Sequence, residues 1–174
     1  MKQLVRFCST GLLMALTTTG CFAPPDFSLV PEIAFNSLTK FEVIEPFSRT
    51  RQDSVVITIE FKDGDGDLGE TAEGRKDPRY DTWGNYELRT FRRVQGNRFE
   101  EVILPANAKI FFPPLKPDNR RGPIEGRLDY SVFFPYSRNA RLNTVKFQIR
   151  VRDRAFNASN IIETDTLSVP LLLQ

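Results

Sequence analysis

Two stretches of strict alternation constrain this chain more than anything else in it. Val55, Ile57, Ile59 and Phe61 alternate with Val56, Thr58, Glu60 and Lys62, and Val145, Phe147, Ile149 and Val151 alternate with Lys146, Gln148, Arg150 and Arg152. Successive side chains of an extended chain point to opposite sides, so apolar residues at every second position line one face of a strand. A helix would need a sustained period of 3.6 with caps at its ends, and no segment has one. Both stretches therefore predict antiparallel strands with one dry and one wet face. A third run, Ile124, Leu128, Tyr130, Val132 and Phe134, alternates with Glu125, Arg127, Asp129 and Ser131 after Gly122 and Pro123 have turned the chain. Weaker strands are expected at Phe41 to Glu45, Tyr86 to Val94, Phe99 to Leu104, Lys109 to Phe112 and Ile161 to Val169, with a hairpin turn at Gly96-Asn97. Seven or eight short strands separated by Pro, Gly and Asn predict an all-β fold, an antiparallel sandwich of immunoglobulin type.

The first 20 residues stand apart from this pattern. Lys2 and Arg6 precede an apolar stretch around Phe7 and Leu12 to Leu16, which ends in the small residues Thr17 to Gly20. That is the layout of a secretory signal. It is shorter than the roughly 20 apolar residues of a membrane span, and Cys8-Ser9-Thr10-Gly11 interrupts it. Thr18-Thr19-Gly20-Cys21 resembles a lipobox, with Thr18 where leucine is usual. The resemblance implies cleavage before Cys21 and a lipid on its thiol. An unpaired exported cysteine would otherwise oxidise, and acylation removes that problem. Residues 21–31, with Pro24, Pro25 and Pro31, read as the lipidated cysteine and an extended tether. Residues 32–174 are the expected domain.

Charge and residue counts narrow the function. Removing Lys2 and Arg6 leaves 22 of the 24 basic residues against 22 acidic ones, so the exported chain has no global field for nucleic acid. The chain has no histidine and 2 cysteines, Cys8 lying in the signal and Cys21 carrying the lipid. Imidazole-dependent triads, thiol nucleophiles and most zinc sites are thereby excluded. With no cofactor fingerprint either, a noncatalytic protein is expected.

The chemistry that remains is concentrated in one loop. Asp63, Asp65 and Asp67 alternate with Gly64 and Gly66 directly after the first strong strand. Three converging carboxylates repel unless a hard cation neutralises them, and calcium is the usual occupant of all-oxygen sites. The spacing is not an EF-hand: counting from Asp63, position 6 is Leu68 and position 12 is Gly74. The competing interpretation is a solvated acidic turn. In an immunoglobulin-type sandwich the loops after the second and sixth strands share a pole. Asp153 and Asn157 are accordingly the expected distant ligands, with Asn160 nearby. The connection from Asp63 to Asn85 is long for a plain loop. Its Trp83 and Tyr80 are candidate ligand-binding aromatics, against the alternative that Trp83 is a lid over the core. Arg89, Arg92, Arg93, Arg127, Arg150 and Arg152 form either a patch for anionic headgroups or glycans, or outward charges that keep strand edges soluble.

The segments Ile59 to Gly69, Pro123 to Gly126 and Val151 to Asn160 resemble an uncharacterised group of bacterial envelope lipoproteins with an immunoglobulin-like domain. The last segment is also similar to the final loop of bacterial Ig-like adhesion modules, where a glycine usually stands at the position of Phe156. The resemblance implies a fold and an address in the envelope: Phe22 rather than Asp after Cys21 resembles outer-membrane sorting, and the lack of an acidic run after Cys21 favours the periplasmic side. It implies no reaction. Binding or assembly with an envelope protein is the expected function, and a carbohydrate-binding module is the alternative.

Overall fold

A computed structural model describes residues 25–104, 109–116 and 120–172. Cys21 and the signal segment lie outside the described residues. Among the described residues eight strands follow one another: β1 Glu32–Ile44, β2 Arg51–Asp63, β3 Tyr86–Arg93, β4 Phe99–Val102, β5 Ile124–Pro135, β6 Arg141–Val151, β7 Ile162–Glu163 and β8 Leu167–Leu171. They form two antiparallel sheets, one ordered β1-β2-β5 and the other β4-β3-β6-β7, with β8 continuing along the same edge of β6 as β7. The all-β sandwich expected from the alternation is the fold.

Core and pattern agree on the strong strands. Val55, Ile57, Ile59 and Phe61 of β2 meet Val145, Phe147, Ile149 and Val151 of β6 in one buried cluster, with Val132 and Phe134 of β5 and Leu88 of β3. Leu128 and Tyr130 pack against that cluster and are only partly buried. The β3–β4 hairpin turns at Gly96-Asn97, both with positive φ, and closes with Val94 N–H donating to Arg98 O at 2.8 Å.

The weak strands depart from expectation, each for a local reason. β1 begins at Glu32, well before the expected Phe41, and a bulge between Phe35 and Ser37 shifts its register against β2, which breaks the alternation that would mark it. Past the bulge Leu38, Lys40 and Glu42 pair with the inward residues Ile57, Val55 and Asp53, so Phe41 faces outward and is 53% exposed. An inward charge and a bulge on an outer strand are the usual protection against edge-to-edge pairing. The stretch Lys109 to Phe112 supplies a single bridge, Ile110 to Tyr86; Asn85 takes both backbone groups of Phe112, at 2.9 Å each. Ile161 to Val169 is split at Thr164, whose hydroxyl accepts from Phe147 N–H at 3.1 Å in place of a ladder carbonyl. The tether is not free along its whole length: Pro31 is buried, and Gly64 N–H donates to Ser28 O at 2.8 Å.

The two faces of a strand should differ sharply under mutation. Ile59→Ala and Phe147→Ala remove side chains that are fully buried and should cost about 2 to 5 kcal/mol. Changes at the outward neighbours Thr58 and Gln148 should stay within about 0.5 kcal/mol. Denaturant midpoints measure both, and equal losses on the two faces would contradict the register.

Candidate metal centre

The parity that buries the apolar residues of β2 runs on past them at both ends. Asp53 and Asp63 fall in the same inward phase as Val55 to Phe61, and they are 2% and 0% exposed. Asp53 is neutralised, with Lys40 Nζ 3.2 Å from its Oδ2 and the Tyr136 hydroxyl donating at 3.4 Å. Among the described residues Asp63 has no such partner. Leu68 N–H donates to its Oδ2 at 3.3 Å, and its Oδ1 is buried without a hydrogen bond. The Oδ1 atoms of Asp65 and Asp67 are likewise buried and unpartnered.

The three carboxylates converge. Asp63, Asp65 and Asp67 each bring one carboxylate oxygen to within 4.8 Å of the others. Oxygens on a single calcium shell stand at most about 4.6 to 5.2 Å apart, twice the usual Ca–O distance, so the trio fits within one shell. With no cation, each pair of like charges at this separation repels by about 3 kcal/mol at an effective dielectric of about 20. The structure thus provides three oxygens that could hold a metal ion.

Their electrostatics follow from the same arrangement. Burial pushes the Asp63 carboxyl up to about 6, with the Asp65 charge adding to it and the Leu68 and Asp67 amides opposing. Burial also pushes Asp67 up to about 6, reinforced by Asp153 and Asp65. Asp153 is raised for the same first reason, against the hydrogen bonds of Asn157.

The loops after β2 and β6 meet at one pole, as the topology predicts: Leu68 bridges Asp153. Asp153 is 1% exposed and stands beside the trio rather than within it. Both of its oxygens accept from Asn157, the Oδ1 from the backbone at 2.8 Å and the Oδ2 from the side-chain amide at 2.9 Å. Asn157 therefore braces Asp153 and commits its amide nitrogen there. Asn160 is drawn elsewhere, gripping both backbone groups of Ile33 at 2.9 and 2.8 Å. The acidic loop is further held by Gly122, whose N–H donates to Asp65 O at 3.1 Å, and by Leu115, whose N–H donates to Leu68 O at 3.1 Å.

The aromatic candidates are placed differently. Tyr80 is 2% exposed and its hydroxyl donates to Glu70 at 3.0 Å, so its ring is not a surface anchor. Trp83 is half-buried over the guanidinium groups of Arg152 and Arg150, at 4.1 and 4.6 Å. It covers these two arginines and is not among the residues packed against the core cluster. Arg152 is itself buried, donating to the carbonyls of Gly84, Arg79 and Trp83. The other arginines do not make an unpaired patch. Arg89, Arg92, Arg127 and Arg150 pair with Glu101, Glu100, Glu60 and Glu87, and Arg93 lies over Phe99. Sequence reasoning missed the Glu70–Tyr80 pair and the Asn85 clamp, which no periodicity marks. Phe156, at the position where glycine is usual, adopts φ of 69°. Its ring lies 4.6 Å from Tyr80 and under Arg79 at 3.8 Å, contacts that offset the left-handed backbone.

Comparison with protein-family models, with curated proteins and with solved structures finds no match to this chain.

Two outcomes follow from the pole. A carboxyl raised in the folded state contributes stability that is complete below its unfolded value of 3.8 and lost as pH rises through about 6. In chelator, the stability difference between wild type and Asp67→Asn should therefore shift against the wild type as pH rises from about 4 to 7. Urea unfolding at several pH values reads this, and a pH-independent difference would contradict it. At Phe156 the usual preference for alanine over glycine should invert: Phe156→Gly should be less destabilising than Phe156→Ala by about 1 kcal/mol or more, since alanine loses the ring and keeps the left-handed strain. Thermal unfolding of the two variants decides.

Proposed function

We propose that this chain is a noncatalytic, lipid-anchored immunoglobulin-like module of the bacterial envelope, acting by binding or assembly, with calcium at its acidic pole. The observation that carries the reading is a trio of aspartates that bring one carboxylate oxygen each to within 4.8 Å of the others, and each of which has a buried Oδ1 without a hydrogen bond. These Oδ1 atoms are shielded from solvent, an arrangement suited to retaining an ion and not to admitting a substrate. All-oxygen, carboxylate-rich coordination is the chemistry of calcium, with backbone carbonyls and water completing a shell of about 6 to 8.

The address rests on the signal-like residues 1–20 and on the lipobox-like sequence ending at Cys21. No helix among the described residues is long and apolar enough to cross a membrane, so a lipid on Cys21 is the attachment this reading requires. The outer membrane is the proposed location, periplasmic side favoured, and the proposed partner is an envelope protein. A glycan-binding role would have to rest on Trp83, since Tyr80 is enclosed.

Cys21→Ser should move the protein from the detergent phase to the aqueous phase of envelope extracts, and unchanged partitioning would remove the lipoprotein reading. Crosslinking in intact envelopes should capture a protein; retention on glycans that is lost in Trp83→Ala would favour the carbohydrate alternative.

A further inference from the structure

The acidic loop is joined through Gly64 to the segment by which the chain enters the domain. Gly64 lies between Asp63 and Asp65, and its N–H donates to the Ser28 carbonyl at 2.8 Å. The fit is close: a Cβ on Gly64 would collide with the carbonyl oxygens of Phe27 and Ser28, so only glycine lets the segment lie there. Next to it the Phe27 ring lies 5.5 Å from the Lys62 ammonium. Beyond these contacts Leu29 and Val30 are 62% and 45% exposed beside a hollow lined by Ser28, Val30, Ile33 and Asn160, and Pro31 is buried where the segment enters β1. Asn160, which grips Ile33, belongs to the same turn region that Asp153 begins.

We infer that a divalent cation held by Asp63, Asp65 and Asp67 docks residues 27–31 onto the pole, and so fixes how closely the domain stands to its N-terminal attachment. This rests on the cation reading of the trio. The coupling is short because it passes through one peptide unit. If the three carboxylates spread apart, Gly64 moves with them and the Ser28 carbonyl loses its donor. When a cation draws them together, the Gly64 N–H is presented to Ser28 and the surface under Phe27 is complete. Only six residue steps separate Cys21 from Phe27, a reach of about 20 Å at most. A docked segment therefore holds the acidic pole near Cys21, and a released one adds the length of residues 27–31 to the tether. Coupling of this kind is reciprocal, so docking raises cation affinity by the same factor by which the cation favours docking.

The test is carried out on the full chain purified from envelopes, with calcium chloride as the probe. Hydrogen exchange at Gly64, Val30 and Ile33 is compared in calcium and in chelator, and calcium affinity is measured separately by competition with a fluorescent chelator. Calcium should slow exchange at these amides by about fivefold or more, the low end of ordinary coupling. Gly64→Ala should abolish the slowing and weaken calcium binding by a similar factor. Phe27→Ala leaves the loop backbone untouched and guards against a folding failure of Gly64→Ala; it should weaken binding in the same direction by less. Asp65→Asn should remove both responses. Calcium that binds with no change in exchange at Val30 and Ile33, or with wild-type affinity in both the Gly64→Ala and Phe27→Ala variants, would overturn the docking and leave the cation site standing. Absence of calcium binding in the wild type would overturn both.

Discussion

Asp63 is where the constraints of this fold collide. As the last residue of β2 it inherits the inward phase of Val55, Ile57, Ile59 and Phe61, and the packing of those residues against β6 leaves the strand no freedom to turn it out. A one-residue slip of β2 would expose all four apolar side chains, which costs far more than burying one carboxyl. The core therefore dictates the carboxylate. Asp153 arrives by the same route at the end of the inward series Val145, Phe147, Ile149 and Val151, immediately beyond β6. Two strands from different sheets thus deliver acidic groups to one pole, and Asp65 and Asp67 add theirs from the loop between them.

What surrounds the pole holds this geometry in place. The loop from Gly64 to Leu68 is pinned by Ser28, Gly122 and Leu115, each through a backbone hydrogen bond of 2.8 to 3.1 Å. Asp153 is fixed by the turn that Asn157 closes, and Phe156 keeps that turn through its ring contacts in spite of a left-handed backbone. The carboxylates cannot relax apart without breaking several of these bonds together. Their repulsion is met by protonation, which the raised values of Asp63 and Asp67 express, or by an ion.

Much of this was legible from the residues. The alternation marked the inward faces of β2 and β6 correctly, and the topology it suggested brought Leu68 and Asp153 together as expected. Followed one step further at each end, the same parity marks Asp53, Asp63 and Asp153 as buried. Where the sequence failed, side chains had replaced backbone partners or an edge had shifted phase. The bulge at Phe35/Ser37 moved Phe41 from the inner to the outer face, and Thr164 split a strand with its hydroxyl. Tyr80 was misjudged because its burial depends on Glu70, ten residues away in a loop with no period. Asn160 was assigned to the right pole, but its grip on Ile33 is a tertiary contact that no local pattern encodes.

Parity also explains why the protein's own cations do not neutralise the trio. Arg152 is adjacent to Asp153 in sequence and also buried, and a salt bridge among these groups is the simpler solution on paper. Neighbouring residues of an extended chain face opposite ways, however, so Arg152 points from the outer face of β6 into the carbonyls of Arg79, Trp83 and Gly84. Arg150, on the same outer face, is paired with Glu87. Arg154 does draw Asp67 downward, but it is the smallest of the influences on that group, behind burial and three carboxylates. At the other end of β2 the bulge in β1 turns Lys40 inward to meet Asp53. At the Asp63 end no strand among the described residues delivers a base in the inward phase. The same alternation that builds the core thus sorts charge by face, and it gathers at this pole acidic groups whose repulsion protonation or a bound ion relieves.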